Sequence, residues 1–166
     1  GAPGKTRLVN LYRLGVARGA GLVRLYLVDL PGYGYARAPR QAQRGQRSAR
    51  AGREAAAREF AELAAGYFAS GRVSAVVLAI DARHPGLAGD LEAHRWIAGT
   101  GIPFAVVATK VDRLGRAERA RARAALESTL QGPVLPVSAV TGEGMDDLWT
   151  LIARLLTPPP ERPNTR

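Results

Sequence analysis

The stretch Val28-Asp29-Leu30-Pro31-Gly32-Tyr33-Gly34-Tyr35-Ala36 follows the apolar run Val23-Arg24-Leu25-Tyr26-Leu27. A short aliphatic run that ends in Asp and breaks at Pro and Gly reads as a buried strand whose carboxyl end opens into a loop. Open α/β sheets bind ligands at such ends. An Asp there can hold a magnesium ion, directly or through water, and a Gly brings a backbone N–H close to a terminal phosphate. Asp29 and Gly32 are the first candidates for chemistry. Taken alone, Asp-Leu-Pro-Gly also fits a plain turn, because Asp, Pro and Gly fill turns for conformational reasons.

Two further apolar runs change the balance. Ile102 to Ala108 ends in Thr109-Lys110-Val111-Asp112, and Pro133 to Val137 ends in Ser138-Ala139. Three loops at strand carboxyl ends, in this order and at these separations, form a guanine-nucleotide constellation. A carboxylate at 112 can accept hydrogen bonds from guanine N1–H and its exocyclic amine, an edge that adenine lacks. Lys110 can lay its aliphatic stem along the base while its ammonium ties neighbouring loops together. A backbone N–H near Ala139 would complement the guanine O6.

With 166 residues, 46% of them hydrophobic, the chain can bury the core of one domain. It has no cysteine, which excludes disulfides and thiolate metal sites and fits a reducing cytosol. No apolar run reaches membrane-spanning length, and the first residues lack the form of a signal peptide, so a soluble protein is expected. A formal charge of +10 points to a polyanionic partner, most plainly nucleic acid. Of the 24 basic residues only Lys5 and Lys110 are lysine, and both fall in candidate site loops. An ammonium and a guanidinium are not interchangeable in a tight site.

The opening Gly1-Ala2-Pro3-Gly4-Lys5-Thr6 admits two readings. It is similar to the end of a phosphate-binding P-loop, but that motif needs a Gly five places before its Gly-Lys-Thr and a strand to launch it. In a switch loop, the Thr6 hydroxyl and backbone reach magnesium and the terminal phosphate instead. A P-loop requires a following helix, which Gly15 and Gly19 would weaken, and residues 7 to 14 approximate alternation. The switch reading fits better, with a strand over 7–14 antiparallel to one over 22–29 across a turn containing Gly15, Gly19 and Gly21.

Pro3-Gly4-Lys5-Thr6-Arg7-Leu8-Val9-Asn10, Asp29-Leu30-Pro31-Gly32-Tyr33-Gly34-Tyr35-Ala36, Asp81-Ala82-Arg83-His84, Thr109-Lys110-Val111-Asp112 and Ser138-Ala139 together resemble the EngB (YihA) family of bacterial ribosome-biogenesis GTPases. The resemblance runs from the first residue to about Leu156, and Asp-Leu-Pro-Gly-Tyr-Gly-Tyr-Ala is its most specific piece. It implies a three-layer α/β G domain, mostly parallel with one antiparallel strand. The family's first strand, P-loop and first helix lie upstream of the Pro-Gly-Lys-Thr motif, so residues 1–157 are expected to form a partial G domain that holds nucleotide weakly by itself. On the phosphate side the resemblance implies nucleotide contacts from Lys5, Thr6, Asp29, Leu30, Pro31 and Gly32, with Thr6 and Asp29 at Mg²⁺ and Thr6 and Gly32 at the reacting phosphate. On the base side it implies Thr109, Lys110, Asp112, Val137, Ser138 and Ala139. Thr109 stands where many GTPases have Asn, and Thr is usual in this family. The implied activity is GTP hydrolysis to GDP, coupled to assembly of the large ribosomal subunit by a cytoplasmic monomer that contacts ribosomal RNA. Tyr33 after Gly32 cannot orient water as a Gln does, so slow intrinsic hydrolysis accelerated by a partner is expected.

Elsewhere, residues 37–58 carry arginines at mostly three- or four-residue steps, which fits either an RNA-facing stripe or a solvated insertion. Phe60, Leu63, Ala64, Tyr67 and Phe68 have the spacing of a core-facing helix. Val73 to Ile80 reads as a fully buried strand, and Asp90 as the cap of a helix carrying Leu91, Trp96 and Ile97. His84 and His94 are too isolated for a metal site. Met145, Leu148, Trp149, Ile152 and Leu155 form the inner face of a final helix, and residues 158–166 read as a disordered basic tail. Strands are expected near 7–14, 22–29, 73–80, 102–109 and 133–138. Two other functions fit parts of the pattern: a P-loop ATPase or kinase, which leaves Thr109 to Asp112 unexplained, and a non-catalytic RNA-binding module of G-domain shape.

Overall fold

The computed structural model describes residues 10–18, 21–30, 62 and 64–157. These fall in two units, residues 1–71 and residues 72–166.

In the first unit β1 (Asn10–Arg18) pairs antiparallel with β2 (Gly21–Asp29), in register from Asn10↔Asp29 to Arg18↔Gly21. The antiparallel strand therefore runs on past the expected end at Leu14 to Arg18, and the first three residues of the expected 7–14 lie outside those described. Gly15 and Gly21 do not belong to the turn. Gly15 sits within β1 opposite Arg24, and the ladder continues until two residues join the strands. Gly19, the third glycine of the expected turn, lies outside the described residues. Residues 64–69 are helical, with Ala64 buried and Tyr67 and Phe68 half-buried. Phe60 and Leu63 lie outside the described residues, as does the arginine-rich segment 37–58.

The second unit is built on a parallel sheet ordered β3 (Val76–Asp81), β4 (Phe104–Thr109), β5 (Val134–Pro136). β4 lies in the centre and buries three consecutive residues, Val106, Val107 and Ala108, as a strand covered on both faces must. β3 lies at the edge of this sheet and is not buried throughout. Leu78 and Ile80 are buried whereas Val77 and Ala79 are exposed, because successive side chains leave opposite faces. α1 (Ala88–Gly99) packs on β3, α2 (Arg116–Leu130) on β5 and α3 (Met145–Leu155) on β4.

Asp90 is not the cap of α1. Leu87 holds that position, and Asp90 lies in the first turn, where a carboxylate opposes the helix dipole favourably. Ile97 is buried but Trp96 is exposed. α2 is rich in strong helix formers, yet Arg-Ala-Glu-Arg-Ala-Arg-Ala-Arg shows no apolar periodicity, and its inner face emerges only at Leu126 and Leu130. It starts where the Glu118 carboxylate accepts the Gly115 N–H at 2.8 Å. It stops at Gln131, whose left-handed backbone (φ 53°) is a common helix ending. The apolar stripe of α3 is amphipathic as expected, yet none of its residues is fully buried and Trp149 is exposed.

Leu126 is wholly inaccessible to solvent, so Leu126→Ala should lower unfolding stability by about 2–5 kcal/mol through reduced burial and the cavity left behind. Urea titration followed by tryptophan fluorescence measures this. An unshifted midpoint would mean that α2 contributes nothing to the core.

Candidate functional site

The parallel register places Asp81 beside Thr109 and Ala108 beside Pro136, so the loops leaving β3, β4 and β5 emerge at one edge. Strand ends are stitched by backbone and hydroxyl bonds. Thr109 Oγ1 donates to the Ile80 carbonyl at 3.0 Å, Ala82 N–H donates to the Thr109 carbonyl at 3.0 Å, and Val137 N–H donates to the Ala108 carbonyl at 2.8 Å.

After Thr109 the chain turns through Lys110, whose backbone is left-handed (φ 62°, ψ 32°). For a residue with a side chain that conformation costs about 1–2 kcal/mol, and such outliers concentrate at functional sites. Here it is fixed from several sides. Val111 is buried with its N–H toward the Val137 carbonyl at 3.4 Å, Arg113 N–H donates to the Lys110 carbonyl at 3.0 Å, and Lys110 Nζ donates to Asp81 Oδ2 at 2.9 Å. The Lys110 ammonium thus ties the loop after β4 to the loop after β3. Residues Val111–Arg113 form a single 3₁₀ turn that presents Asp112.

Asp112 Oδ1 accepts the Ser138 hydroxyl at 2.6 Å, and its Oδ2 lies 3.5 Å from Arg113 Nε. Ser138 is fully buried. Its N–H donates to the Glu143 carbonyl at 2.9 Å, while its Oγ accepts the N–H groups of Val140 at 3.2 Å and Thr141 at 3.1 Å. With two donors pointing at Oγ, its own hydrogen is committed to Asp112. The carboxylate is thereby oriented yet keeps acceptor capacity on both oxygens, as a reader of paired N–H donors requires. Ala139 and Val140 stand exposed at the head of the loop. The loop ends at Gly144 (φ 73°), where any side chain would be driven into the Pro136 carbonyl oxygen, so glycine alone allows α3 to start this close to β5.

Asp81 is the most heavily engaged carboxylate among the described residues. Its Oδ1 accepts Arg83 Nε at 2.9 Å and the Arg83 N–H at 3.1 Å, and its Oδ2 accepts Arg83 Nη2 at 2.6 Å and Lys110 Nζ at 2.9 Å. The Arg83 guanidinium, helped by Lys110, holds the Asp81 carboxyl far below the usual carboxylate range, against the opposing effect of partial burial.

Of the residues singled out from sequence, the structure brings Thr109, Lys110, Asp112, Val137, Ser138 and Ala139 together on this edge. Asp29 ends β2 in the first unit, where its Oδ2 faces Asn10 Nδ2 at 3.4 Å, and Leu30 follows it half-buried. Lys5, Thr6, Pro31 and Gly32 lie outside the described residues. Sequence reasoning does not single out Asp81, Arg119 or Glu143 for a role in the site. For Asp81 a signal exists, an Asp at a strand's carboxyl end, as at Asp29. His94 sits edge-on to Phe104 at 5.3 Å and His84 is exposed. Among the described residues no cluster of acidic or imidazole side chains could cage a metal ion, and no helix is long and apolar enough to cross a membrane.

No family model matches the chain. It is 36% identical over 153 residues to the probable GTP-binding protein EngB of Chlorobaculum tepidum, covering 90% of this chain and 69% of that protein. The chain belongs to the EngB family. The EngB protein of Pelotomaculum thermopropionicum is 35% identical over 157 residues, covering 92% of this chain and 69% of its own. A solved structure of a probable GTP-binding protein EngB superposes with a TM-score of 0.59 over 79% of this chain and 76% of that one, at 17% identity, which supports the α/β G-domain fold.

The Asp81 contacts yield a signed pH dependence. Its carboxyl is depressed in the folded state, so its stabilisation is present above the ordinary carboxylate pKa and is lost as pH falls through and below that value. Asp81→Asn should cost about 1 kcal/mol near neutrality, limited by solvent access to Arg83 and Lys110. In urea melts at several pH values the gap between parent and variant should close on acidification. A gap that widens in acid would contradict the assignment.

Proposed function

We propose that this EngB-family chain recognises guanine nucleotides through the loops at residues 109–112 and 137–139 and serves as a GTPase in assembly of the large ribosomal subunit. The observation that carries the proposal is the Ser138 hydroxyl 2.6 Å from Asp112 Oδ1, which fixes a double acceptor at the mouth of two convergent loops. A carboxylate so held discriminates guanine from adenine, because a misfitting base leaves its polar edge unpaired. The relatives named above are called GTP-binding proteins, which accords with this chemistry.

For magnesium, Asp29 is a suitable hard oxygen donor, exposed at the carboxyl end of β2 and able to hold the ion directly or through water. Mg²⁺ commonly relies on one or two protein oxygens together with phosphates and water, and Thr6 is the second candidate donor. The ion would neutralise charge on the nucleotide phosphates. Thr6 and Gly32 would contact the terminal phosphate, and Lys5, Leu30 and Pro31 would complete that side. With Tyr33 in place of a water-orienting Gln, hydrolysis is slow until a partner accelerates it. The protein acts as a cytoplasmic monomer.

Asp112→Asn tests the base assignment. Replacing a double acceptor by an amide that also donates should weaken guanine by roughly 1–3 kcal/mol and favour xanthine, which carries an oxygen in place of the amine. Titrations with guanine, xanthine and adenine nucleotides at concentrations high enough to detect weak binding decide it. An unchanged guanine-to-xanthine ratio would remove Asp112 from the base site, and adenine preference in the parent would favour a kinase or ATPase instead.

The ribosomal partner is supported by the formal charge of +10, carried almost entirely by arginine. Replacing Arg44, Arg47 and Arg50 by Gln should weaken binding to the large subunit and reduce the log–log salt slope by roughly 0.7 to 0.9 for each phosphate no longer neutralised. Co-sedimentation across a salt series measures this. Retention of both affinity and slope would place the RNA-binding surface elsewhere.

A further inference from the structure

The base loops are held by a second ion pair that belongs to neither recognition motif. Arg119, in the first turns of α2, donates from Nε to the Leu114 carbonyl at 2.9 Å, and its Nη1 lies 2.9 and 2.8 Å from the two oxygens of Glu143. These three positions come from the end of the Asp112 loop, a helix and the Ser138 loop. Glu143 then accepts the Ser138 N–H on its backbone carbonyl, and Ser138 donates its hydroxyl to Asp112. Leu114 is two residues beyond Asp112, so the contacts close a ring: Asp112 to Leu114 along the chain, then Arg119, Glu143, Ser138 and back to Asp112.

We propose that Arg119 and Glu143 are positioning residues for base recognition, closing this ring so that Ser138 is kept on the Asp112 carboxylate. The inference rests on the base-reading role of Asp112 proposed above. An exposed ion pair ordinarily contributes little to global stability. Its leverage here is local, because Arg119 spans 24 residues to Glu143 and joins two loops whose direct links are the Ser138–Asp112 side-chain bond and the long Val111 N–H to Val137 carbonyl contact at 3.4 Å. The nearby Arg123–Glu127 pair at 2.9 Å is the contrasting case, an i,i+4 pair within one helix. Without the Arg119 side chain the loop from Ser138 to Glu143 keeps its internal bonds but loses its tie to α2, so the Ser138 hydroxyl is held less firmly on the Asp112 carboxylate.

The test reads a ratio, which loss of folded protein does not move. Inosine nucleotides lack the exocyclic amine that Asp112 would bind, so guanine-over-inosine preference reports how well the carboxylate is aimed. Arg119→Ala and Glu143→Gln should each reduce that preference about threefold to tenfold, and Arg123→Ala should leave it alone. Arg119→Glu should be at least as damaging, and adding Glu143→Arg to it should recover part of the preference by restoring the pair with its charges exchanged. Independently of nucleotide, hydrogen exchange at the Ser138, Val140 and Thr141 amides should accelerate in Arg119→Ala and not in Arg123→Ala. Guanine preference in the parent that persists in Arg119→Ala overturns the positioning role and leaves the base assignment standing. A parent without preference for guanine over adenine overturns the base assignment, and the positioning role with it. Unchanged exchange at those three amides overturns the ring whatever the nucleotide result.

Discussion

The parallel register of β3, β4 and β5 is the constraint on which the site depends. Because the three strands run the same way, their carboxyl ends share an edge, and because Asp81 pairs with Thr109 and Ala108 with Pro136, the loops leave at matched heights. A slip of one residue would turn every side chain of a strand to the opposite face. The three consecutive buried residues of β4 set the depth of the sheet, and Leu78 and Ile80 fix which face of β3 is inward. Apolar packing therefore determines where Asp81, Lys110 and Asp112 can stand, and the polar contacts only refine it.

That refinement has a chemical pattern. The chain uses arginine nearly everywhere, yet lysine occupies position 110, where a left-handed backbone brings the side chain back toward β3. A compact ammonium can meet Asp81 Oδ2 as a point charge while Arg83 engages both oxygens of the same carboxylate with its planar fork. Two guanidinium groups would compete for the same in-plane directions. The arrangement explains why the Asp81 charge is strongly favoured, and it fixes the Lys110 head while leaving the stem free to line a ligand.

Legibility from sequence follows the range of the interactions involved. Ile102 to Ala108 is readable as a strand because it is apolar throughout, and the Asp112 and Ser138 loops because they interrupt such runs with residues of distinctive chemistry. The bounds of the first strand are not readable, because Gly15 resembles turn punctuation whereas pairing with residues 21–29 overrides the local preference. β3 reads from its composition as buried on both faces, since apolar residues at 77 and 79 do not reveal that their face is left uncovered. α2 is obscured by its arginines, and the link from Arg119 to Glu143 has no local signature, since it joins positions 24 residues apart through a turn and a strand. Its visible trace, Glu143 just before Gly144, serves equally well as loop composition.

The groups proposed to face a base and those proposed to face phosphates come from different parts of the chain. Every contact described above that orients Asp112 and Lys110 lies between Asp81 and Glu143, inside the unit spanning residues 72–166. The candidates for phosphate and magnesium, Lys5, Thr6, Asp29 and Gly32, precede residue 72. On the proposed assignment the base side is assembled within the second unit, whose loops are tied to one another by Lys110 with Asp81 on one side and by Arg119 with Glu143 on the other. Affinity is a separate matter, because the phosphates carry most of a nucleotide's charge and need donors that the base loops do not supply. A polar edge held rigidly selects among bases whatever the phosphate side contributes, for selectivity is a difference between two binding free energies and a phosphate contribution common to both cancels from it.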